Sequence, residues 1–164
     1  MNPVSLRGLV PDETEALLWA PWRMLETDHQ AFMVELRDLE SILKKHRADG
    51  RCPGRVLNKL QRFVRNFESH MSSHFQAEEK AVFPHLRRHA PRLSGILLYL
   101  IAEHRVIQRT LTAWKRCFKR SKVCPKPKGS RTPVFQKGLE LVRLLRLHVE
   151  RENRIMREFP SKAA

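Results

Sequence analysis

Six ionisable side chains occur where a helical repeat of apolar residues would otherwise continue. Each of four long segments contains one histidine on its apolar stripe, and two segments also contain a glutamate four residues later. A spacing of four places both side chains on one face of a helix, a turn apart. Burying six such groups in one core is costly unless they are paired or bind a metal. The candidate metal ligands are His29, His74, Glu78, His104, His148 and Glu152.

The segments that must position these residues have the periodicity of bundle helices. Apolar residues recur at steps of three and four, which keeps them on one stripe of a helix. Residues typical of turns separate the segments at 49–54, 84–91 and 124–133, and no segment has the alternation of a β-strand. We therefore predict an all-α fold, an up-down-up-down antiparallel four-helix bundle. The expected divisions are an N-terminal extension over 1–20, the bundle over 21–160 and a tail over 161–164.

The positions of the six residues along their helices support a shared site. If neighbouring helices alternate in direction, the six lie within roughly two turns of one level. A single histidine on a core-facing stripe is more often a hydrogen-bonded core residue than a ligand. Two His-x-x-x-Glu pairs and two further histidines, on four helices at one level, favour a metal site instead.

The order of these residues resembles that of the hemerythrin-like, or HHE cation-binding, domain. The match includes Asp28-His29, the run HFQAEEKAVFP that starts at His74, Glu103-His104-Arg105 and the run HVERENRIM that starts at His148. It covers about residues 20 to 160. The resemblance implies a non-haem di-iron centre with two histidines on each iron, bridged by Glu78, Glu152 and an oxo or hydroxo group. Imidazole and carboxylate ligands in this mix suit iron, with manganese and zinc as alternatives.

Two positions depart from the oxygen-carrying members of that family. Those members have His-x-x-x-His on the third helix and an aspartate as the last ligand, whereas this chain has Gln108 four residues after His104, and Glu152 as the last ligand. The chain therefore looks more like the di-iron proteins linked to nitric-oxide stress and iron–sulfur-cluster repair. The resemblance implies binding of, or reaction with, oxygen, nitric oxide or hydrogen peroxide in oxidative or nitrosative stress, and leaves open whether the protein is an enzyme.

Three further residues are candidates for contacts to the ligand histidines. Asp28 and Glu103 each precede a ligand histidine and are expected to contact a histidine of another helix. His70 lies four residues before His74 but one position off the stripe, so it is either such a partner or a flanking residue. Glu79 and Glu150 are displaced from the stripe and are expected in solvent.

The formal net charge of +15 predicts attraction to polyanions. A second function therefore stays open, a metal- or oxygen-sensing regulatory module that docks to an anionic macromolecule such as DNA. The simpler alternative is a solvated helix end, because aromatic residues for base stacking are nearly absent there. A ferritin-like enzyme is disfavoured, since only Glu26-x-x-His29 fits its Glu-x-x-His motif. The candidate docking patch consists of Lys115, Arg116, Lys119, Arg120 and Lys122.

Compartment is predicted from the cysteines and the apolar runs. The three cysteines are odd in number and form no Cys-x-x-Cys pair, which favours a reducing environment. The N-terminal residues include acids where a secretory signal is apolar. No apolar run reaches the roughly 20 residues of a membrane span. We expect a cytoplasmic protein without a membrane span.

Overall fold

The computed structural model describes residues 13–48, 53–123 and 132–158, and these ranges contain helices and no strand. The prediction of an all-α fold is confirmed for them. Four long helices form a helical bundle, in which α1 packs on α5, α5 on α4, and α4 on α2. The elements are α1 Glu13–Ala48, α2 Gly54–Ala77, a π-helical turn Glu78–Val82, α3 Phe83–His89, a 3₁₀ turn Pro91–Leu93, α4 Ser94–Val123 and α5 Thr132–Glu158.

Helix α1 begins ahead of the predicted boundary at residue 21. It starts at Glu13 and continues through Pro21. The sequence over 13–20 is rich in Ala, Leu and Glu, which are strong helix formers, so it favours a helix on the N-terminal side of Pro21 although a proline removes one hydrogen bond. The division into an extension, a bundle and a tail stays a prediction; residues 1–12 and the tail at 161–164 lie outside the described residues.

The second helical segment continues past Pro84, where a break was predicted. Helix α2 passes through the π-helical turn into α3, which ends at His89. Pro84 lies in the first turn of α3, directly after the π-helical turn, and a first turn tolerates the missing N–H of proline. A π-helical turn lengthens the hydrogen-bonded repeat by one residue. It therefore changes which side chains after Ala77 face the core.

Two apolar clusters make up the core. The larger one fills the half of the bundle that contains Trp114, whose indole nitrogen donates a hydrogen bond of 2.7 Å to the carbonyl oxygen of Val134. Gly138 permits close packing here, because a Cβ at this position would lie 2.8 Å from Leu43 and from Trp114. The smaller cluster includes Leu97 and Leu100 of α4. Among the described residues, no helix combines the length and the apolar character needed to cross a membrane.

Candidate metal centre

The structure brings the six predicted ligand residues into one buried cluster between the two apolar clusters. Each of the six exposes 5% or less of its surface. Helix α1 supplies one of them, α2 and the π-helical turn supply two, α4 supplies one and α5 supplies two. The cluster members are His29, His74, Glu78, His104, His148 and Glu152.

The four histidines form two pairs whose Nε2 atoms face each other. The Nε2 atoms of His29 and His74 are 3.1 Å apart, and those of His104 and His148 are 3.0 Å apart. Each pair joins two different helices. Two ring nitrogens this close stabilise the bundle only if a cation lies between their lone pairs.

The two glutamates lie between the histidine pairs. For Glu78, Oε1 is 3.1 Å from His74 Nε2, whereas Oε2 is 3.2 Å from His104 Nε2. For Glu152, Oε2 is 3.2 Å from His29 Nε2, whereas Oε1 is 3.0 Å from His148 Nε2. The two oxygens of each carboxylate therefore face different histidine pairs.

Each of the four histidines also has a partner at its outer nitrogen, Nδ1. The distances are 3.1 Å from His74 to Asp28, 3.1 Å from His148 to Glu103, 2.8 Å from His104 to Glu79 and 3.0 Å from His29 to Asn153 Oδ1. All four partner atoms are acceptors, so each Nδ1–H donates. In neutral histidines this places a lone pair on every Nε2, directed into the cluster.

These contacts fit a metal site on two counts. First, two Nε2 lone pairs about 3 Å apart repel each other unless a cation lies between them. Second, three buried carboxylate oxygens, Oε2 of Glu78 and both oxygens of Glu152, have no hydrogen-bond partner among the described residues, and such groups are costly to bury. The six residues form two groups of four ligand atoms within 4.8 Å of one another, and both groups contain Glu78 and Glu152.

Without a metal, protons on the histidines supply the missing positive charge. Burial alone would lower the pKa of His29, but the carboxylates of Glu152 and Glu78 outweigh it and raise the pKa to about 10. Burial is outweighed in the same way at His104, whose pKa rises to about 9. Burial and the charge of Glu152 would raise the pKa of Glu78, yet the surrounding histidines lower this pKa to about 2. The cluster therefore attracts cations strongly, whether protons or metal ions.

Aromatic rings fix the orientation of the histidines. The ring of Phe75 stacks on His104 with centroids 3.7 Å apart and an angle of 10° between the ring planes. Phe83 lies 5.8 Å from the same imidazole, and the ring of Phe32 meets His74 edge-on at 5.1 Å. Rings held in this way keep their Nε2 atoms directed at the cluster.

Two cavities reach the cluster. A cavity of about 10 Å³ touches His29, Glu78 and Glu152 and is otherwise lined by apolar side chains of the smaller cluster. This volume is close to the minimum for one water molecule. A surface groove of about 570 Å³ runs along α1 and α5 and is lined by residues that include His29 and Asn153. Any exogenous molecule bound at the buried cavity must therefore be very small.

Two sequence-based assignments near the cluster are corrected, and one residue was missed. The side chain of His70 is exposed, so it is not a partner of the cluster; it precedes the core residue Met71, a step of about 100° around the helix. Glu79, expected in solvent, instead contacts His104. The sequence gives no indication of Asn153, which contacts His29. Asp28 and Glu103 lie against ligand histidines, as described above.

The predicted docking patch is only partly described. Lys115 forms an ion pair of 2.6 Å with Glu68 of α2, so its charge is compensated. Arg116 and Lys119 are exposed. The side chains of Arg120 and Lys122 lie outside the described residues.

Fold and site together define a class of protein, a helical bundle whose buried histidines and glutamates are compatible with a metal-binding site. The family model for the hemerythrin HHE cation-binding domain matches residues 20–159, and the chain belongs to this family. Searches of curated proteins and of solved structures find no match for it.

Proposed function

We propose that the protein is a non-haem di-iron protein that binds or reacts with oxygen, nitric oxide or hydrogen peroxide. The observation that carries the proposal is the position of the two glutamates, since each directs one oxygen at each histidine pair. A carboxylate in this position suits two metal ions better than one.

In the proposed ligand set, His29 and His74 would hold one iron, and His104 and His148 would hold the other. Glu78 and Glu152 would be shared between the two irons, and an oxo or hydroxo group is the expected further bridge. Iron would supply one-electron chemistry and open coordination positions. The mixed nitrogen and carboxylate donors support this choice of metal, since such sites suit iron, manganese and zinc better than copper(I).

The buried cavity limits the size of any exogenous ligand that binds within it. Its volume of about 10 Å³ and its apolar lining favour a diatomic molecule or peroxide over an organic substrate. The protein residues contribute by excluding bulk water and by orienting the histidines through the partners at Nδ1.

Assignment to nitric-oxide stress or iron-centre repair, rather than oxygen carriage, follows from the position of Gln108. Its side chain is exposed, whereas its neighbour Ile107 fills the core. Helix α4 therefore offers His104 and no second histidine, which leaves more of the coordination open than in oxygen carriers and favours redox reactions over reversible binding.

The up-down-up-down arrangement of the bundle belongs to the same proposal. It is supported by contacts in which the residue number rises along one helix and falls along its neighbour. Such contacts join α1 to α5, α4 to α5, and α2 with its following π-helical turn to α4. Between α1 and α5 these are His29 with Asn153 and Glu40 with Arg146. Between α4 and α5 they are Glu103 with His148 and Trp114 with Val134. The third set is Glu68 with Lys115 and Glu79 with His104.

Metal analysis and stopped-flow spectroscopy test the proposal. Protein expressed in iron-replete medium is expected to contain about two irons per chain, and one or none would contradict it. The reduced protein is then mixed with oxygen, nitric oxide or peroxide. Irreversible oxidation by oxygen, with a reaction or turnover under nitric oxide, supports the stress assignment. A stable, reversible spectrum with oxygen supports carriage instead.

A second candidate function is a metal- or oxygen-sensing module that docks to an anionic partner. The observation that favours it is the distribution of charge among the helices, described below. The odd number of cysteines and the lack of a Cys-x-x-Cys pair support a reducing, cytoplasmic location for either function.

A further inference from the structure

The positive charge of the chain is concentrated on two neighbouring helices. Helix α4 contains seven basic residues (lysine or arginine) and one acidic residue, and α2 contains four basic residues and one acidic residue. Helix α1 contains five basic and seven acidic residues, and α5 contains six basic and four acidic residues. Because α2 packs on α4 whereas α1 packs on α5, the molecule has one strongly basic side.

The centre of the α4 surface is a row of arginines. Arg105, Arg109 and Arg116 are exposed and line a shallow concavity of about 360 Å³ together with Gln108 and Thr112. At 1.5 Å per residue the row extends over roughly 16 Å of helix. Among the residues that the structure describes, no acidic side chain lines this concavity.

These three arginines have no counter-charge among the described residues, in contrast to three other basic residues of the bundle. Arg151 pairs with Glu103, Arg146 with Glu40 at 2.6 Å, and Lys115 with Glu68. By contrast, none of the three arginines of the row forms an ion pair with another described residue. Arg105 and Arg109 are like charges four residues apart, an arrangement that destabilises a helix slightly. An anion bound across them would relieve this repulsion.

The side-chain types indicate which anion fits. The guanidinium fork matches phosphate geometry, and Arg, Gln and Thr are typical of residues that contact nucleic-acid phosphates. A protein partner would instead require apolar anchors at the centre of the surface, and none of the described residues that line this concavity is apolar. Nor is any of these described lining residues aromatic, as stacking on unpaired bases would require.

We propose that Arg105, Arg109 and Arg116 form a docking surface for the phosphodiester backbone of a nucleic-acid duplex, without recognition of its sequence. The inference deepens the second candidate function and does not depend on the metal. The surface differs from the patch predicted from the sequence: it shares Arg116 with that patch and lies closer to the metal centre, since Arg105 follows the candidate ligand His104.

Fluorescence anisotropy with a mixed-sequence DNA duplex and an RNA duplex, at several salt concentrations, tests the proposal on the full-length protein. The test variant is R105Q/R109Q/R116Q. The control is K45Q/R143Q/R154Q, which removes the same charge from exposed positions of α1 and α5. Iron content and circular dichroism are measured for every variant, so that a failed metal centre or a fold defect is detected separately.

The test variant is expected to lose more than tenfold in affinity, and the slope of log affinity against log salt is expected to fall by roughly 0.9 for each phosphate contact removed. The control is expected to lose less than threefold. A third variant, R105K/R109K/R116K, keeps the charge and is expected to keep most of the slope. Binding to either duplex with this pattern supports the proposal.

Three results would overturn it. The first is an equal loss of affinity in the test and control variants, which would mean that bulk charge suffices. The second is competition by polyglutamate, or by vesicles of anionic phospholipid, as effective as that of the duplex. The third is the absence of binding at low salt. None of these results bears on the iron content, so the di-iron proposal is judged independently.

Discussion

Asn153 accepts a hydrogen bond from His29, with 3.0 Å between His29 Nδ1 and Asn153 Oδ1. It is the one uncharged group among the four partners of the ligand histidines. The other three, Asp28, Glu79 and Glu103, are carboxylates. A carboxylate at Nδ1 makes an imidazole a stronger electron donor to its metal. The two proposed iron positions therefore differ, because the His104 and His148 pair has two such carboxylates and the His29 and His74 pair has one.

Replacing Asn153 with Asp is expected to lower the reduction potential of the metal centre. A charge-assisted hydrogen bond is stronger than a neutral one by on the order of 1 kcal/mol, which corresponds to some tens of millivolts for one electron. Redox titration followed by visible absorption measures the change. Glu79→Gln is the reciprocal control and should raise the potential. Shifts of the same sign in both variants would contradict this account.

Substitution of either bridging glutamate is expected to remove the dinuclear centre while the bundle stays largely helical. Glu78→Ala or Glu152→Ala deletes a ligand that both proposed iron positions share, and metal binding depends on the complete ligand set. Iron content per chain and circular dichroism measure the two effects. Glu150→Ala changes an exposed glutamate of the same helix and should keep two irons. Retention of both irons in the Glu78 and Glu152 variants would show that the bridging roles are wrong.

Metal binding is expected to release protons and to weaken as the pH falls. With pKa values of about 10 and about 9, His29 and His104 carry protons at pH 7 in the metal-free protein. A metal ion binds neutral imidazole, so it must displace roughly two protons. Affinity should therefore rise with pH until about pH 9 to 10 and level off above it.

Calorimetry in buffers of different ionisation enthalpy counts the released protons. The double variant Glu78→Ala/Glu152→Ala is the control and should release none, because it lacks the site. Metal uptake at pH 7 without proton release would show that the histidines are already neutral, and the proposed competition would then be absent.

The sequence predicted the buried cluster of histidines and glutamates well, because helical periodicity and ligand-type side chains coincide there. His29, His74 and Glu78 all fall on apolar stripes, where an ionisable residue is conspicuous. Glu79 could not be found in this way, since the π-helical turn changes the helical repeat at that residue, and such turns have no clear pattern in a sequence. Asn153 was missed because its role depends on the distance to a histidine of another helix.

The helix boundaries were predicted less accurately for a related reason. The sequence predicts boundaries at Pro21 and Pro84, yet both prolines lie within helices. A proline removes one hydrogen bond and introduces a local clash, and tertiary packing or a compensating turn can outweigh that cost. Sequence patterns therefore predicted which face of each helix is buried more reliably than where each helix ends.

Substitution of Gly138 with Ala is expected to destabilise the protein although alanine is the better helix former. The new methyl group would lie 2.8 Å from side-chain atoms of Leu43 and Trp114, and overpacking of this kind costs about 1–3 kcal/mol. Gly95→Ala is the matched control, because nothing lies within 4 Å of its Cβ position, and it should be neutral or slightly stabilising. The melting temperatures of both variants, from thermal unfolding, measure the difference in stability. Equal melting temperatures would show that the bundle expands at Gly138 without cost.

Enlargement of the buried cavity is expected to change which exogenous ligands reach the metal centre. Leu100 lines the cavity beside Glu78 and Glu152, so Leu100→Ala should admit a ligand such as an alkyl isocyanide while nitric oxide binds nearly as before. The ratio of the affinity for the isocyanide to that for nitric oxide is expected to rise by about tenfold or more, since one methylene in an apolar pocket is worth about 1–3 kcal/mol. Leu141→Ala is the control: Leu141 is equally buried in the larger cluster, and both variants should lose about 2–5 kcal/mol of stability. Absorption titrations of the reduced protein measure the ratio. If both variants shift it equally, general loosening of the bundle is responsible, and this cavity is not where the small ligand binds.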